Sequence, residues 1–298
     1  MLVSIVIPMY NREKTIQMAV ESILKQTYQD IEVIVVDDCS TDGSVEVVKN
    51  MHDERIRVIT CEKNGGACVA RNIGIENANG QVVAFQDSDD FWHEDKLEKS
   101  LYYLNKENAD MVFSAVFRKG ENQYGDERRV VPTYNLNYEK NKLARVLMMN
   151  CVSTQTIVAK KNVLEKVRFD ERLPRFQDWD FALQVLKCGF DVYYIDEPLV
   201  DCWVQEDSIT KDYTKAIKAL EIFEKKYEAE YRQNKQAAYE FFWRMAYFLE
   251  ESGNSGAAYF KKAYMVRKEK GMLFRYYLAR LNLYKLFNRF YVKLTCIK

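Results

Sequence analysis

Four short runs constrain the fold of this chain most: VSIVI (3–7), IEVIVV (31–36), IRVI (56–59) and VVAF (82–85). Each is continuous and rich in β-branched residues, with no polar alternation, as strands buried on both faces are. Helical spacing fills the gaps between them. Ile16, Val20, Ile23 and Leu24 recur on one face, and Leu97, Leu101 and Leu104 do the same further on. Strands alternating with helices predict an α/β fold: a mixed, mostly parallel sheet flanked by helices. With 298 residues and 48% hydrophobic content, the chain can bury one large domain and an appendage.

Beyond about 110 the pattern loosens into a strand at DMVFSAVF, a polar loop at ENQYGDERR, a helix near 139 to 149, and the runs TIVA, DVYYI and PLVDCWV. These read as mixed strands continuing the same domain. After about 210 strand signals stop. Ile217, Leu220 and Phe223, with Tyr227 and Tyr231 beyond, form a helical stripe, and AAYEFFWRMAYFLEE and GAAYFKKAYMVRKEK follow as a helical pair broken at SGNSG. The expected organisation is a domain at 1–210 and a helical module at 211–298. No second copy of the pair marks a repeat array.

Seven cysteines, an odd number without a CxxC pair, suit free thiols better than a disulfide framework or a zinc site. The N-terminal MLVSIVIPMYN lacks the basic leader of a secretory signal, and no run approaches the ~20 apolar residues of a membrane span. A cytoplasmic protein is expected. The 44 basic and 44 acidic residues balance overall, but residues 261 to 298 hold eleven Lys/Arg against one acid, Glu269. An acidic body therefore carries a basic tail.

In a parallel sheet, ligands bind beyond the carboxyl ends of the strands. Polar clusters fall there: PMYN (8–11), DDCSTD (37–42) and QDSDD (86–90). The last sets three aspartates within four positions, a density at which carboxylates raise one another's pKa unless a cation lies between them. Asp90 can precede or cap the next helix, which leaves Asp87 and Asp89 unexplained. Mg²⁺ is held by one or two carboxylates plus substrate phosphates, so a divalent metal with a phosphorylated ligand is expected at this pair. The cluster DDCSTD (37–42), with Asp37 and Asp38, admits a plainer role, capping the helix that begins near Ser44. In NGGACVARNIG (64–74) two glycines precede a helix that contains Arg71, suited to phosphate. Neither GxGxxG nor a Walker GK[ST] follows the first strand, which disfavours a dinucleotide-binding dehydrogenase and a P-loop NTPase. With two histidines, His52 and His93, and no GxSxG, a Ser/His/Asp hydrolase is poorly supported. His93 is read as a surface histidine at a helix start. In RFQDWDFALQVLKCG (175–189), Asp178 and Asp180 either oppose a helix dipole beside a buried Trp179 or supply a general base.

Taken in order, PMYNRE, SILKQTYQDIEVIVVDDCSTDGS, NGGACVARNIG, VVAFQDSDDFW and QDWDFALQVLKCG resemble the family 2 glycosyltransferases, of GT-A fold, over residues 1 to about 210. The resemblance implies a nucleotide-sugar donor, inversion at the anomeric carbon, and Mn²⁺ or Mg²⁺. Carried over residue by residue, it implies that Pro8 and Tyr10 line the base pocket, that Asp37 and Asp38 sit at base and ribose, and that Arg71 lies near the diphosphate. Asp87-Ser88-Asp89 becomes the DxD-type motif, with Asp87 near ribose or metal and Asp89 the metal ligand. Asp178 matches the catalytic base. The family often has Glu-Asp where this chain has Gln177-Asp178, and Gln205 stands near a frequent histidine.

The tail at 271–298 interleaves Arg275, Arg280, Lys285, Arg289 and Lys293 with Leu, Phe and Tyr, as an interfacial membrane helix does. Docking on the acidic body or an oligomer interface fits the same composition, whereas nucleic acid does not, for want of a binding module. The expected function is an inverting transferase that moves a sugar from a UDP-sugar to a glycan or lipid-linked acceptor in cell-surface polysaccharide synthesis. Two alternatives are a nucleotidyltransferase, which would release pyrophosphate and not need Asp178, and a catalytically silent scaffold, which would not need Arg71, Asp87, Asp89 and Asp178 together.

Overall fold

The apolar run after Leu2 becomes β1 (Val3–Met9), the strand on which the sheet is built. A computed structural model of the chain describes residues 1–119, 129–132, 134–203 and 212–288. The chain divides into two compact units: Met1–Leu143, Cys151–Glu171 and Gln177–Glu206 form the first, and Ala144–Asn150, Arg172–Phe176 and Asp207–Lys298 the second.

In chain order, β1 is followed by α1 (Ile16–Leu24), β2 (Ile31–Asp37), α2 (Ser44–Lys49), β3 (Ile56–Thr60), α3 (Ala67–Glu76) and β4 (Val82–Phe85). Then come β5 (Phe91–Trp92), α4 (Lys96–Lys106), β6 (Met111–Lys119), β7 (Arg129–Val131), α5 (Lys142–Met148), β8 (Val158–Lys160), α6 (Lys161–Lys166), α7 (Gln177–Lys187) and β9 (Val192–Trp203). The sheet order is β3-β2-β1-β4-β8-β6-β9-β5, with β7 paired to β6. β3, β2, β1 and β4 run parallel, and so do β6 and β9, while β8 is antiparallel to both β4 and β6. This is the mixed, mostly parallel sheet flanked by helices that the apolar runs predict.

Two details depart from the sequence reading. DVYYI and PLVDCWV are one strand, β9, whose register against β6 shifts so that Ser114 faces Ile195 and Ala115 faces Pro198. Pro198 has no N–H to donate, and a bulge is where a strand tolerates that. Phe91-Trp92 forms β5 against Val200 and Asp201, a two-residue strand too short to carry a periodic signal.

Ile5, Ile7, Val33 and Val35 are fully buried, each worth about 1.5–3 kcal/mol of apolar burial. On the other face α3 packs closely on β1: a Cβ at Gly74 would lie 2.2 Å from Val6 Cγ1. That contact fixes the helix that carries Arg71. Phe85, at the end of β4, meets Phe169 edge-on at 5.2 Å, and Phe169 stacks on Phe181 of α7 at 4.6 Å. The aromatic trio seats α7 beneath the end of β4.

In the second unit, α8 (Tyr213–Lys226), α9 (Glu228–Gln233), α10 (Lys235–Ser252), α11 (Ala257–Val266) and α12 (Lys270–Arg280) follow one another. Leu220, Phe223, Tyr227 and Tyr231 are buried, although the helix breaks at Tyr227. Tyr239, Ala246, Phe260, Ala263, Met272 and Ala279 share a core across α10 to α12. Of the expected tail, residues 289–298 lie outside the described residues, Arg289 and Lys293 among them. No helix among the described residues is long and apolar enough to cross a membrane, and the six described cysteines are free thiols.

One buried group opposes stability. Lys96 is fully buried in the first turn of α4, its Nζ has no hydrogen-bond partner among the described residues, and it sits 3.7 Å above the Trp92 ring. Burial lowers its pKa from 10.5 to about 7. The unfolded chain binds this proton below pH 10.5 and the folded chain does not until about 7, so wild-type stability should rise with pH across that window. The cation–π contact offsets part of the cost. Lys96→Met should therefore stabilise the protein at pH 7 by about 2 kcal/mol, with the gain shrinking towards pH 10. Urea midpoints of both proteins at pH 7 and pH 10 check this, and a gain equal at both pH values would contradict it.

Candidate active site

Register brings the polar loops together. Met9 of β1 lies opposite Asp37 of β2, and Val6 lies opposite Phe85, so the segment 86–90 runs on from β4 beside the end of β1. Gln86 N–H donates to the Val6 carbonyl at 3.0 Å, and Asp38 N–H to that of Met9 at 2.8 Å. Pro8 is buried in β1 opposite Val36, while Tyr10 stands 46% exposed just beyond the strand.

The loops after β1 and β2 are zipped by side chains. Asn11, with φ +51, donates its N–H to Ser40 Oγ at 2.9 Å and accepts from Thr41 N–H at 2.8 Å. Arg12 N–H donates to Ser44 Oγ at 2.7 Å. Asp42 accepts from the Ser44 and Glu13 N–H groups, and although burial opposes ionisation these bonds hold its carboxyl below the usual range. The N-cap of α2 is Gly43, and Asp42, rather than Asp37 or Asp38, accepts from the first N–H of the helix.

Those two buried aspartates turn to different loops. Asp37 accepts from Ser40 N–H at 3.1 Å. Asp38 accepts from Gly65 and Gly66 N–H, each at 2.7 Å, one per carboxylate oxygen. It thereby clamps the turn that opens α3, where Gly66 adopts φ +86 and ψ 168, a conformation open essentially to glycine alone.

The acidic segment after β4 meets two arginines. Arg71, 5% exposed on α3, donates through Nη2 to Asp87 Oδ1 at 2.7 Å and through Nη1 to Gln177 Oε1 at 2.9 Å. Its guanidinium carbon lies 5.3 Å from the centre of the Phe169 ring. Arg12 Nε lies 3.7 Å from Asp89 Oδ2. The positive charge missing from this stretch of sequence is supplied in part by the chain itself, through Arg71 and Arg12. Ser88 is buried between them. Asp90 is buried behind, and burial, with the charges of Asp87 and Asp89, pushes its carboxyl well above the usual range. It precedes β5 and does not cap α4, whose N-cap is Asp95.

Asp178 is half-buried in the first turn of α7, next to Gln177, while Trp179 and Asp180 turn into the core and Asp180 accepts from Gln184 Nε2 at 2.7 Å. His93 lies 3.2 Å from Asp201, which burial would raise but Lys119 and His93 hold below its usual pKa. Gln205 lies outside the described residues. Sequence reasoning gave no role to Arg12 or Gln177 in holding the acidic loop. A basic residue just past β1 is the available signal for the first, and the replacement of the family's Glu-Asp by Gln177-Asp178 is the signal for the second.

Among the described residues no three His, Cys, Asp or Glu side chains converge as a ready-made metal cage. Asp87 and Asp89, with Asp89 24% exposed, instead suit a hard cation that completes its shell with phosphate oxygens and water. Glycine-shaped backbone, a basic fork and paired carboxylates thus meet at the ends of parallel strands, where ligands bind in sheets of this kind.

The profile described as Glycosyl transferase family 2 matches residues 4–167, and the chain belongs to this family. It is 33% identical over 219 residues to the putative teichuronic acid biosynthesis glycosyltransferase TuaG of Bacillus subtilis, covering 73% of this chain and 84% of that one. It is also 33% identical over 198 residues to WfgD of Escherichia coli, a UDP-Glc:alpha-D-GlcNAc-diphosphoundecaprenol beta-1,3-glucosyltransferase, covering 63% and 74%. Among solved structures, the mannosyltransferase PcManGT from Pyrobaculum calidifontis, in complex with GDP-Man and Mn²⁺, superposes with a TM-score of 0.63 over 97% of this chain and 82% of that one at 18% identity. The fold is GT-A.

Proposed function

We propose that this protein is an inverting glycosyltransferase that moves a sugar from a nucleoside diphosphate donor, UDP-linked, to a glycan or lipid-linked acceptor in cell-surface polysaccharide synthesis. The observation that carries this is the Arg71 fork, which joins Asp87 to the first turn of the helix bearing Asp178. The likeness to TuaG, of teichuronic acid biosynthesis, supports the polysaccharide context, and that to WfgD, which acts on a diphosphoundecaprenol-linked sugar, supports the lipid-linked acceptor.

In this assignment Tyr10 stacks near the base, with Pro8 behind it, and Asp37 and Asp38 serve the base and ribose side. Arg71 faces the diphosphate. Asp89, with Asp87 beside it and Ser88 between, would hold Mn²⁺ or Mg²⁺, which when bound neutralises charge on the leaving diphosphate. PcManGT, solved with Mn²⁺, supports a metal of this kind. Asp178 takes the proton from the acceptor hydroxyl as that oxygen forms its bond to the anomeric carbon, and the bond to the diphosphate breaks on the opposite face. A single displacement inverts the centre. Asp178→Asn should leave nucleotide binding within about twofold and cut UDP release from UDP-sugar by about 10²–10⁴-fold. UDP release from UDP-glucose with a GlcNAc-diphospho-lipid acceptor measures this. Undiminished turnover in the variant would remove the base.

A lipid-linked acceptor suits an enzyme working at the cytoplasmic membrane face. On α12 and just past it, Phe274, Tyr277 and Leu281 are exposed beside the basic Arg275 and Arg280, a pattern suited to an anionic lipid surface. Full-length protein should sediment with phosphatidylglycerol vesicles and lose that binding when 271–298 is deleted. Equal sedimentation of both proteins would exclude membrane contact through this segment.

A further inference from the structure

Gln177 ties the base-bearing helix to the donor loop through Arg71. Its Oε1 accepts from Arg71 Nη1 at 2.9 Å while the other arm of that guanidinium holds Asp87 at 2.7 Å. Phe176, directly before it, takes φ +63, so the chain turns sharply into α7 at this point. Arg71 has little freedom to move: its side chain is 6% exposed, it lies against Phe169, and both Nη atoms are held by hydrogen bonds.

The charge balance is as specific as the geometry. Arg71 carries one positive charge, Asp87 one negative, and Gln177 none, so the trio is neutral where a diphosphate would arrive. A carboxylate of the same length at 177 would satisfy the same guanidinium arm but leave the trio with a net negative charge. An alanine would leave the charge unaltered and remove the tie.

We propose that Gln177 is a positioning residue: acting through Arg71, it locks the helix that carries Asp178 to the donor loop without adding charge to it. The inference rests on the donor-site assignment above. Nucleotide seated on the loop then stiffens the first turn of α7 through the guanidinium, registering the base before the acceptor arrives. The geometric and electrostatic parts separate by substitution.

The test uses the full chain with UDP and GDP, each with MnCl₂, on wild type, Gln177→Ala and Gln177→Glu. Calorimetry gives the dissociation constant, and hydrogen–deuterium exchange follows the amides of residues 177–181 with and without nucleotide. In wild type, nucleotide should slow exchange in that turn. Gln177→Ala should bind within about twofold of wild type yet lose this protection, whereas Gln177→Glu should bind about tenfold more weakly, as expected for an added like charge beside the diphosphate. A purely structural role would instead lower the melting temperature and shift affinity equally in both variants, overturning the proposal. So would two variants that match wild type in affinity and protection. If wild type binds neither nucleotide, the donor-site assignment itself fails, and this inference with it.

Discussion

The buried guanidinium of Arg71 is the contact on which the site depends. A largely buried arginine needs anionic or polar partners because its charge is costly away from water. Asp87 and Gln177 are those partners, and they come from segments far apart in sequence. One planar group thus sets the spacing between the acidic loop after β4 and the start of α7. Arg12, 3.7 Å from Asp89, tempers the second carboxylate from the side of β1.

The sheet makes this spacing reproducible. Parallel pairing of β1 with β2 and β4 brings their loops to one edge, and the Gly74 contact presses α3 onto β1 closely enough for Arg71 to reach under the loop. Phe85, Phe169 and Phe181 hold α7 from below. Asp38 does for the glycine turn what the aromatics do for α7, fixing backbone at the entry to α3 with both carboxylate oxygens. The polar groups of the site rest on apolar packing that leaves them few other arrangements.

Much of this was legible in the sequence, for stated physical reasons. Unbroken β-branched runs announce the parallel strands, although β3, at the sheet edge, is not buried on both faces as its run suggests, and the acidic cluster after VVAF marks the loop that Arg71 and Arg12 meet. What sequence could not supply was pairing at long range. Nothing in its local neighbourhood marks Gln177 as a partner of Arg71, 106 positions away. The apparent deficit of positive charge at QDSDD is met in part across space, by Arg71 and Arg12. Short elements also escaped: β5 has two residues, and the bulge near Pro198 made one strand look like two.

On the proposed function, the edge formed by β1, β2 and β4 would hold a nucleoside diphosphate with a divalent cation at Asp89. Calorimetric titration of the wild-type protein with UDP, GDP and CDP, each with and without Mn²⁺, set beside Asp89→Ala, tests it most directly. One nucleotide, UDP, should bind in a Mn²⁺-dependent way, and the alanine variant should lose that dependence. Binding of no nucleotide under any condition, or Mn²⁺-dependent binding that survives in the variant, would contradict it.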